Sequence, residues 1–169
     1  FKGYSVRIEE YLRKGVWIFQ QKPELFLIYT AVLLALLPIG GFLFSGPLAG
    51  GFFIVAHRIN RGKHVIIDHF LDGFKLFIPL FLLVIVAAFF VFFGTLAFIL
   101  PGIYLSVGYT FAILFVIFAR VDFWEAMELS RKLVGREWFS IFGLTLVLGI
   151  INFIGALAFG VGLLFSIPI

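Results

Sequence analysis

Every charged residue of this 169-residue chain falls in one of three short windows. All thirteen Lys and Arg and all nine Asp and Glu lie within residues 1–24, 57–75 and 120–137. The stretches 25–56, 76–119 and 138–169 carry no formal charge at all. A charge at the centre of a bilayer costs several kcal/mol, so this segregation suits a chain embedded in lipid. If each uncharged stretch enters and leaves on one side, every charge ends on that side.

Composition agrees. With 63% hydrophobic residues, 13% charged residues and 25 Phe, and a mean hydropathy of +1.17, the chain lies outside the range of soluble globular domains. A water-soluble fold of this length could not hide so much apolar surface. The absence of Cys removes disulfides, thiolate metal sites and thiol nucleophiles. The net charge of +4 comes from bases that flank apolar spans and mix with acids. That pattern fits the positive-inside rule, with the charged face in the cytoplasm, and argues against a nucleic-acid partner. The length suits a single membrane domain over residues 1–169.

Each window reads as an amphipathic interfacial helix. In the first, Tyr4, Ile8, Tyr11, Leu12, Gly15, Val16 and Phe19 share a face, and Glu9–Arg13 and Glu10–Lys14 pair on the other side. In the second, Ile66, Phe70, Phe74 and Phe77 form the stripe, opposite Asp68, Asp72 and Lys75. In the third, Asp122 and Glu125 have capping-box spacing. Phe123, Ala126, Met127, Ser130, Leu133 and Val134 follow on one face, and Glu128–Lys132 pairs on another.

Each helix precedes an apolar hairpin, so the expected fold is an all-α integral membrane protein of about six transmembrane helices in three hairpins. The first span starts at Pro23 and breaks across Pro38-Ile39-Gly40-Gly41. The second runs from Phe42 to Ile59, the third and fourth meet at Pro101-Gly102, and the fifth runs from Trp138 to Ala158. The first two are short, at roughly 16 to 18 residues against the usual ~20, so a re-entrant pair is the alternative there. Three units, 1–56, 57–119 and 120–169, fit two local echoes. Residues 41–48 resemble 162–169, and 94–98 resemble 155–159. The chain begins with Phe1 and stops inside an apolar run, so the last span is expected to be truncated.

Chemistry is sparse. A coupled transporter or membrane enzyme keeps ionisable groups at membrane depth. Here the apolar stretches offer Thr30, Ser45, Thr95, Ser106, Thr110 and Thr145, with Asn152 the sole carboxamide. The hydroxyls can bond their own helix carbonyls, and Asn152 suits one interhelical hydrogen bond. His57, His64 and His69 are spaced seven and five apart, unlike a metal-binding helix. No metal, cofactor or catalytic residue is expected. Gly46, Pro47, Gly50, Pro101 and Gly102 are candidate helix-break and packing positions. Arg58, Arg61 and Lys63, with Arg131 and Lys132, are candidate contacts for anionic lipid headgroups. Phe70, Phe74, Trp124, Met127 and Val134 are candidate contacts for a protein partner or lipid.

The strings Ser45-Gly46-Pro47-Leu48-x-Gly50-Gly51, Phe70-Leu71-Asp72-Gly73-Phe74, Leu100-Pro101-Gly102-Ile103-Tyr104 and Trp124-Glu125-Ala126-Met127-x-x-Ser130-x-Lys132 carry a resemblance. They resemble a group of uncharacterised bacterial polytopic membrane proteins rich in proline and glycine. They are also similar to the membrane domain attached to some glycerophosphodiester phosphodiesterases. The resemblance implies a six-span inner-membrane protein with amphipathic cytoplasmic helices, and no particular activity. The functional expectation is a non-enzymatic structural or accessory subunit, docking another membrane protein or lipids through its interfacial helices. The alternative is a transporter or lipid-handling protein with its site at the broken helices.

Overall fold

The computed structural model describes residues 8–157, Leu163 and Ile167, leaving aside the side chains of residues 36–40, 42 and 43. Tyr4, the expected end of the fifth span at Ala158 and the echo at 162–169 therefore lie outside the described residues, save Leu163 and Ile167. Among the described residues every regular element is helical. In chain order these are α1 (Ile8–Gln21), α2 (Pro23–Asn60), a 3-10 segment (Ile67–Leu76), α3 (Phe77–Ala97) and α4 (Ile99–Gly108). Then come α5 (Ala112–Leu114), a π turn (Phe115–Ala119), α6 (Phe123–Val134) and α7 (Trp138–Leu157).

The backbone of α2 is helical throughout, but α2 is not one rod. A straight helix would separate Tyr29 from Leu48 by about 28 Å. Instead the Tyr29 hydroxyl donates to the Leu48 carbonyl at 3.0 Å, and the rings of Phe26 and Phe52 lie 6.3 Å apart. Both pairs are centred near residues 38 and 39, so the helix doubles back around the Pro38-Ile39-Gly40-Gly41 stretch. Pro23 opens α2 at a position whose N–H needs no partner.

The second window adopts 3-10 geometry rather than an α-helical stripe. With three residues per turn, positions i and i+3 eclipse. Phe70, Gly73 and Leu76 therefore share an edge, with Phe70 and Gly73 fully covered and Leu76 packed on the next cluster. This edge lies along the second limb of α2 at backbone contact. A Cβ on Gly73 would run into the Pro47 carbonyl, and one on Gly51 into the Phe70 carbonyl. Phe26, Tyr29, Leu48, Val55, Ile59, Val65 and Phe70 make the resulting core.

A second core joins Leu80 and Leu83 of α3 to Ala112, Val116, Ile117, Ala126 and Met127. A third, smaller one joins Val107, Val134 and Ile141. The reversal between α3 and α4 falls at Phe98, whose backbone is extended, and not at Pro101-Gly102 as expected. Pro101 instead occupies the first turn of α4, where a missing N–H is tolerated. Gly102 lies in the contact between helices, against Thr95. The tip of this pair is bare of cover: Phe98 is 76% and Leu100 78% exposed.

Among the described residues, Ile67–Ala97, Ile99–Ala119 and Trp138–Leu157 are long and apolar enough to cross a membrane. These three helices are compatible with a membrane protein, and the six spans in three hairpins are not shown by them.

Candidate functional site

The partner contacts expected on the amphipathic faces are largely turned inward. Phe70 and Val134 are 0% exposed and Met127 is 4% exposed. All three are core residues of this chain and cannot meet a partner, so those assignments are corrected. Phe74 is half-buried against Phe44 and Phe77. Trp124 alone of the set stays exposed, with one side of its ring near Phe90. An apolar stripe needs a cover, and in α6 that cover is the bundle itself.

Ser130 shows why α6 sits where it does. The fourth span is interrupted between Gly108 and Ala112, which leaves backbone groups without helical partners. The buried Ser130 hydroxyl donates to the Gly108 carbonyl at 2.7 Å and accepts from the Phe111 N–H at 3.2 Å. One side chain thus satisfies both edges of the break. The sequence places Ser130 on the apolar face without revealing this role; a hydroxyl amid Ala126, Met127 and Val134 is the available signal. Asp122 does precede α6 as its N-cap, but makes no side-chain cap bond, so the expected capping box is not formed.

The basic residues divide into paired and unpaired. Asp72 binds Arg58 at 3.4 Å and Lys75 at 2.7 Å. Glu128 binds Arg131 at 2.8 Å and Lys132 at 3.3 Å. Hydrogen bonds from Arg131 and Lys132 hold the Glu128 carboxyl below its ordinary value. Arg58, Arg131 and Lys132 are therefore already engaged inside the chain, whereas Arg61 and Lys63 are exposed and make no ion pair among the described residues.

Arg120 joins the unpaired group. It follows the π turn with φ 57°, the left-handed region, the only non-glycine residue so placed among those described. Such a conformation costs an L residue about 1–2 kcal/mol. Just before it, the Phe118 ring meets the His57 ring at 4.6 Å. Desolvation, and then the charges of Arg61 and Lys63, hold His57 below its ordinary value.

The three histidines do not converge. Among the described residues no group of three or more His, Cys, Asp or Glu is placed to hold a metal. His69 serves its own segment, where its Nδ1 accepts from the Ile66 N–H at 3.0 Å at the start of the 3-10 turn.

The glycines act where the spacing indicates. A Cβ on Gly46 would lie 2.7 Å from the Leu80 carbonyl oxygen, and one on Gly50 3.1 Å from the Leu80 side chain. Pro47 is buried beside them. The hydroxyls of the apolar stretches bond their own helices: Thr30 to Phe26, Thr95 to Val91, Thr145 to Ile141. Asn152 donates within α7 to the Leu148 carbonyl at 3.1 Å. It also lines a cavity of about 400 Å³ with Ile18, Phe26, Leu33, Phe53, Leu148 and Ile167. A smaller cleft of about 280 Å³ lies between Phe90, Leu105, Tyr109, Trp124 and Arg131.

Comparisons with models of known families, with curated proteins and with solved structures found no match to this chain.

Proposed function

We propose that the chain is a non-enzymatic integral protein of the bacterial inner membrane, acting as a structural or accessory subunit that docks another membrane protein. The observation that carries this reading is the contrast among apolar surfaces. The α3–α4 tip, with Phe92, Phe98 and Leu100 uncovered, suits lipid. Helix α1 is different: Val16 of its stripe and the neighbouring Trp17 stay exposed on a helix that buries no residue. It offers apolar surface beside charged side chains, as the exposed Trp124 does on α6, which suits a protein neighbour at the interface. The segregated Lys and Arg support a cytoplasmic charged face.

In this reading α3 and α4 form one anchoring hairpin and α7 belongs to another. The limbs of α2 are a re-entrant pair. Asp72 and Lys75 lie beside Pro47 and Gly51 through the Gly73 contact. From Pro47 to the reversal near residue 39 is only about 12 Å, against roughly 30 Å of hydrocarbon. The proline- and glycine-rich bacterial membrane proteins that the chain resembles remain the proposed kin.

Purification from native membranes in nanodiscs, with mass spectrometry of what co-elutes, tests the proposal. A stoichiometric protein lost on Val16→Ser with Trp17→Ser is the expected outcome. A lone protein carrying one enriched lipid would favour the second reading, a lipid-handling protein. That reading draws on the cavity at Asn152, whose largely apolar lining suits an acyl chain better than a polar solute.

A further inference from the structure

We propose that Arg61, Lys63 and Arg120 form one site for the phosphate of an anionic phospholipid headgroup, at the edge of the charged face. The site rests on the membrane-embedded reading above. Pairing separates these three cations from their neighbours. Arg58 and Lys75 share Asp72, and Arg131 and Lys132 share Glu128. Arg61, Lys63 and Arg120 are exposed and have no carboxylate partner among the described residues. The nearest acids along the chain, Asp68 and Asp122, are exposed and make no ion pair there either.

The fold, not the sequence, sets the two turns that carry them side by side. The ring contact between His57 and Phe118 joins the second charged window to the third. Arg61 follows His57 by one helical turn, and both Arg61 and Lys63 lie close enough to act on its charge. Arg120 lies two residues past Phe118, at most about 7 Å along the chain. Gly62, at φ 65°, bends the backbone between Arg61 and Lys63, so both leave one short turn.

Three gathered cations repel one another, and a phosphate among them turns that repulsion into attraction. The two guanidinium groups can each present paired N–H donors to phosphate oxygens. Phe118, 45% exposed at the same place, offers apolar contact to the glycerol and upper acyl chain. A lipid satisfies both features, whereas free phosphate uses only the charge.

The test uses nanodiscs of phosphatidylcholine alone and of phosphatidylcholine mixed with phosphatidylglycerol, with native mass spectrometry counting the lipid each protein retains. Wild type should retain phosphatidylglycerol in preference. Arg61→Gln and Arg120→Gln should each lower that preference by roughly fivefold, and Arg61→Gln/Lys63→Gln/Arg120→Gln should abolish it. Arg131→Gln/Lys132→Gln should leave it largely intact. Wild-type preference in the triple variant, or an equal loss in the Arg131/Lys132 variant, would overturn the site. Displacement of the lipid by added inorganic phosphate would overturn the lipid as its ligand and leave a phosphate site. If wild type enters neither nanodisc, the membrane reading fails and the site falls with it.

Discussion

Helices α1 and α6 are written in the same style and used in opposite ways. Each carries an apolar stripe and i,i+3 or i,i+4 ion pairs, Glu9–Arg13 in α1 and Glu128 with Arg131 and Lys132 in α6. Yet α6 buries Ala126, Met127, Ser130 and Val134, while α1 buries nothing. The difference lies in what faces them. The interruption after Gly108 opens backbone groups that Ser130 can satisfy, and the second core supplies a surface for Met127. Ile18 and Phe19 of α1 reach only the margin of the first core. Amphipathic pattern therefore says that a face will be covered, but not by what.

The sharpest way to break this comparison is to truncate one apolar residue in each helix. Met127→Ala should destabilise the protein by about 2–5 kcal/mol. Val16→Ala should change stability by no more than about 0.5 kcal/mol. Unfolding followed by circular dichroism in detergent gives both values. Equal losses would show that α1 is as firmly packed as α6.

Ser130→Ala tests the break itself. It leaves the Gly108 carbonyl and the Phe111 N–H without their partner, at a cost of about 1–3 kcal/mol. Hydrogen exchange should quicken at residues 108–112 and remain unchanged in α1. Unaltered exchange at those amides would mean that α6 docks by apolar contact alone.

The approach to α6 offers a smaller effect of opposite sign. Arg120→Gly relieves the left-handed backbone, and the greater freedom of glycine in the unfolded chain offsets part of the relief. The net should be a gain of about 0.5–1 kcal/mol in thermal or denaturant unfolding. A loss of stability would show that the Arg120 side chain makes a structural contact of its own.

The smallest effect concerns pH. The folded-state value of Glu128 is lowered from 4.5, so its contribution is full above that value. It is lost as pH falls through the lowered folded-state value. Glu128→Gln should flatten this acid-side fall in the melting temperature and leave neutral-pH behaviour nearly unchanged. An identical acid profile in wild type and variant would remove the ion pairs of Glu128 from the account.

Much of this was legible in the residues. The helical class, the apolar spans, the reversal around Pro38-Ile39-Gly40-Gly41 and the glycine contacts at Gly46 and Gly50 follow from charge spacing, turn residues and small side chains. The errors share a cause. The α3–α4 reversal at Phe98 has no Gly or Pro at its centre, so local turn chemistry pointed three residues too far, to Pro101-Gly102. The 3-10 segment of the second window lies with Gly73 against the Pro47 backbone, a contact that no local propensity encodes. Phe70, Met127 and Val134 read as docking residues because exposure to a partner and burial against one's own bundle require the same side chains.

Sequence alone determined which parts of this chain can lie in lipid, because desolvating a charge depends on residue type and is decided wherever the chain goes. It also determined that the first and third windows would be amphipathic helices. Tertiary structure alone decided which of those helices found a cover, which cations found a carboxylate, and that Phe118, two residues before Arg120, would meet His57 at the end of α2. Those outcomes depend on distances between residues far apart in the chain, set where backbone meets backbone at Gly51 and Gly73 and where the Ser130 hydroxyl meets the Gly108 carbonyl.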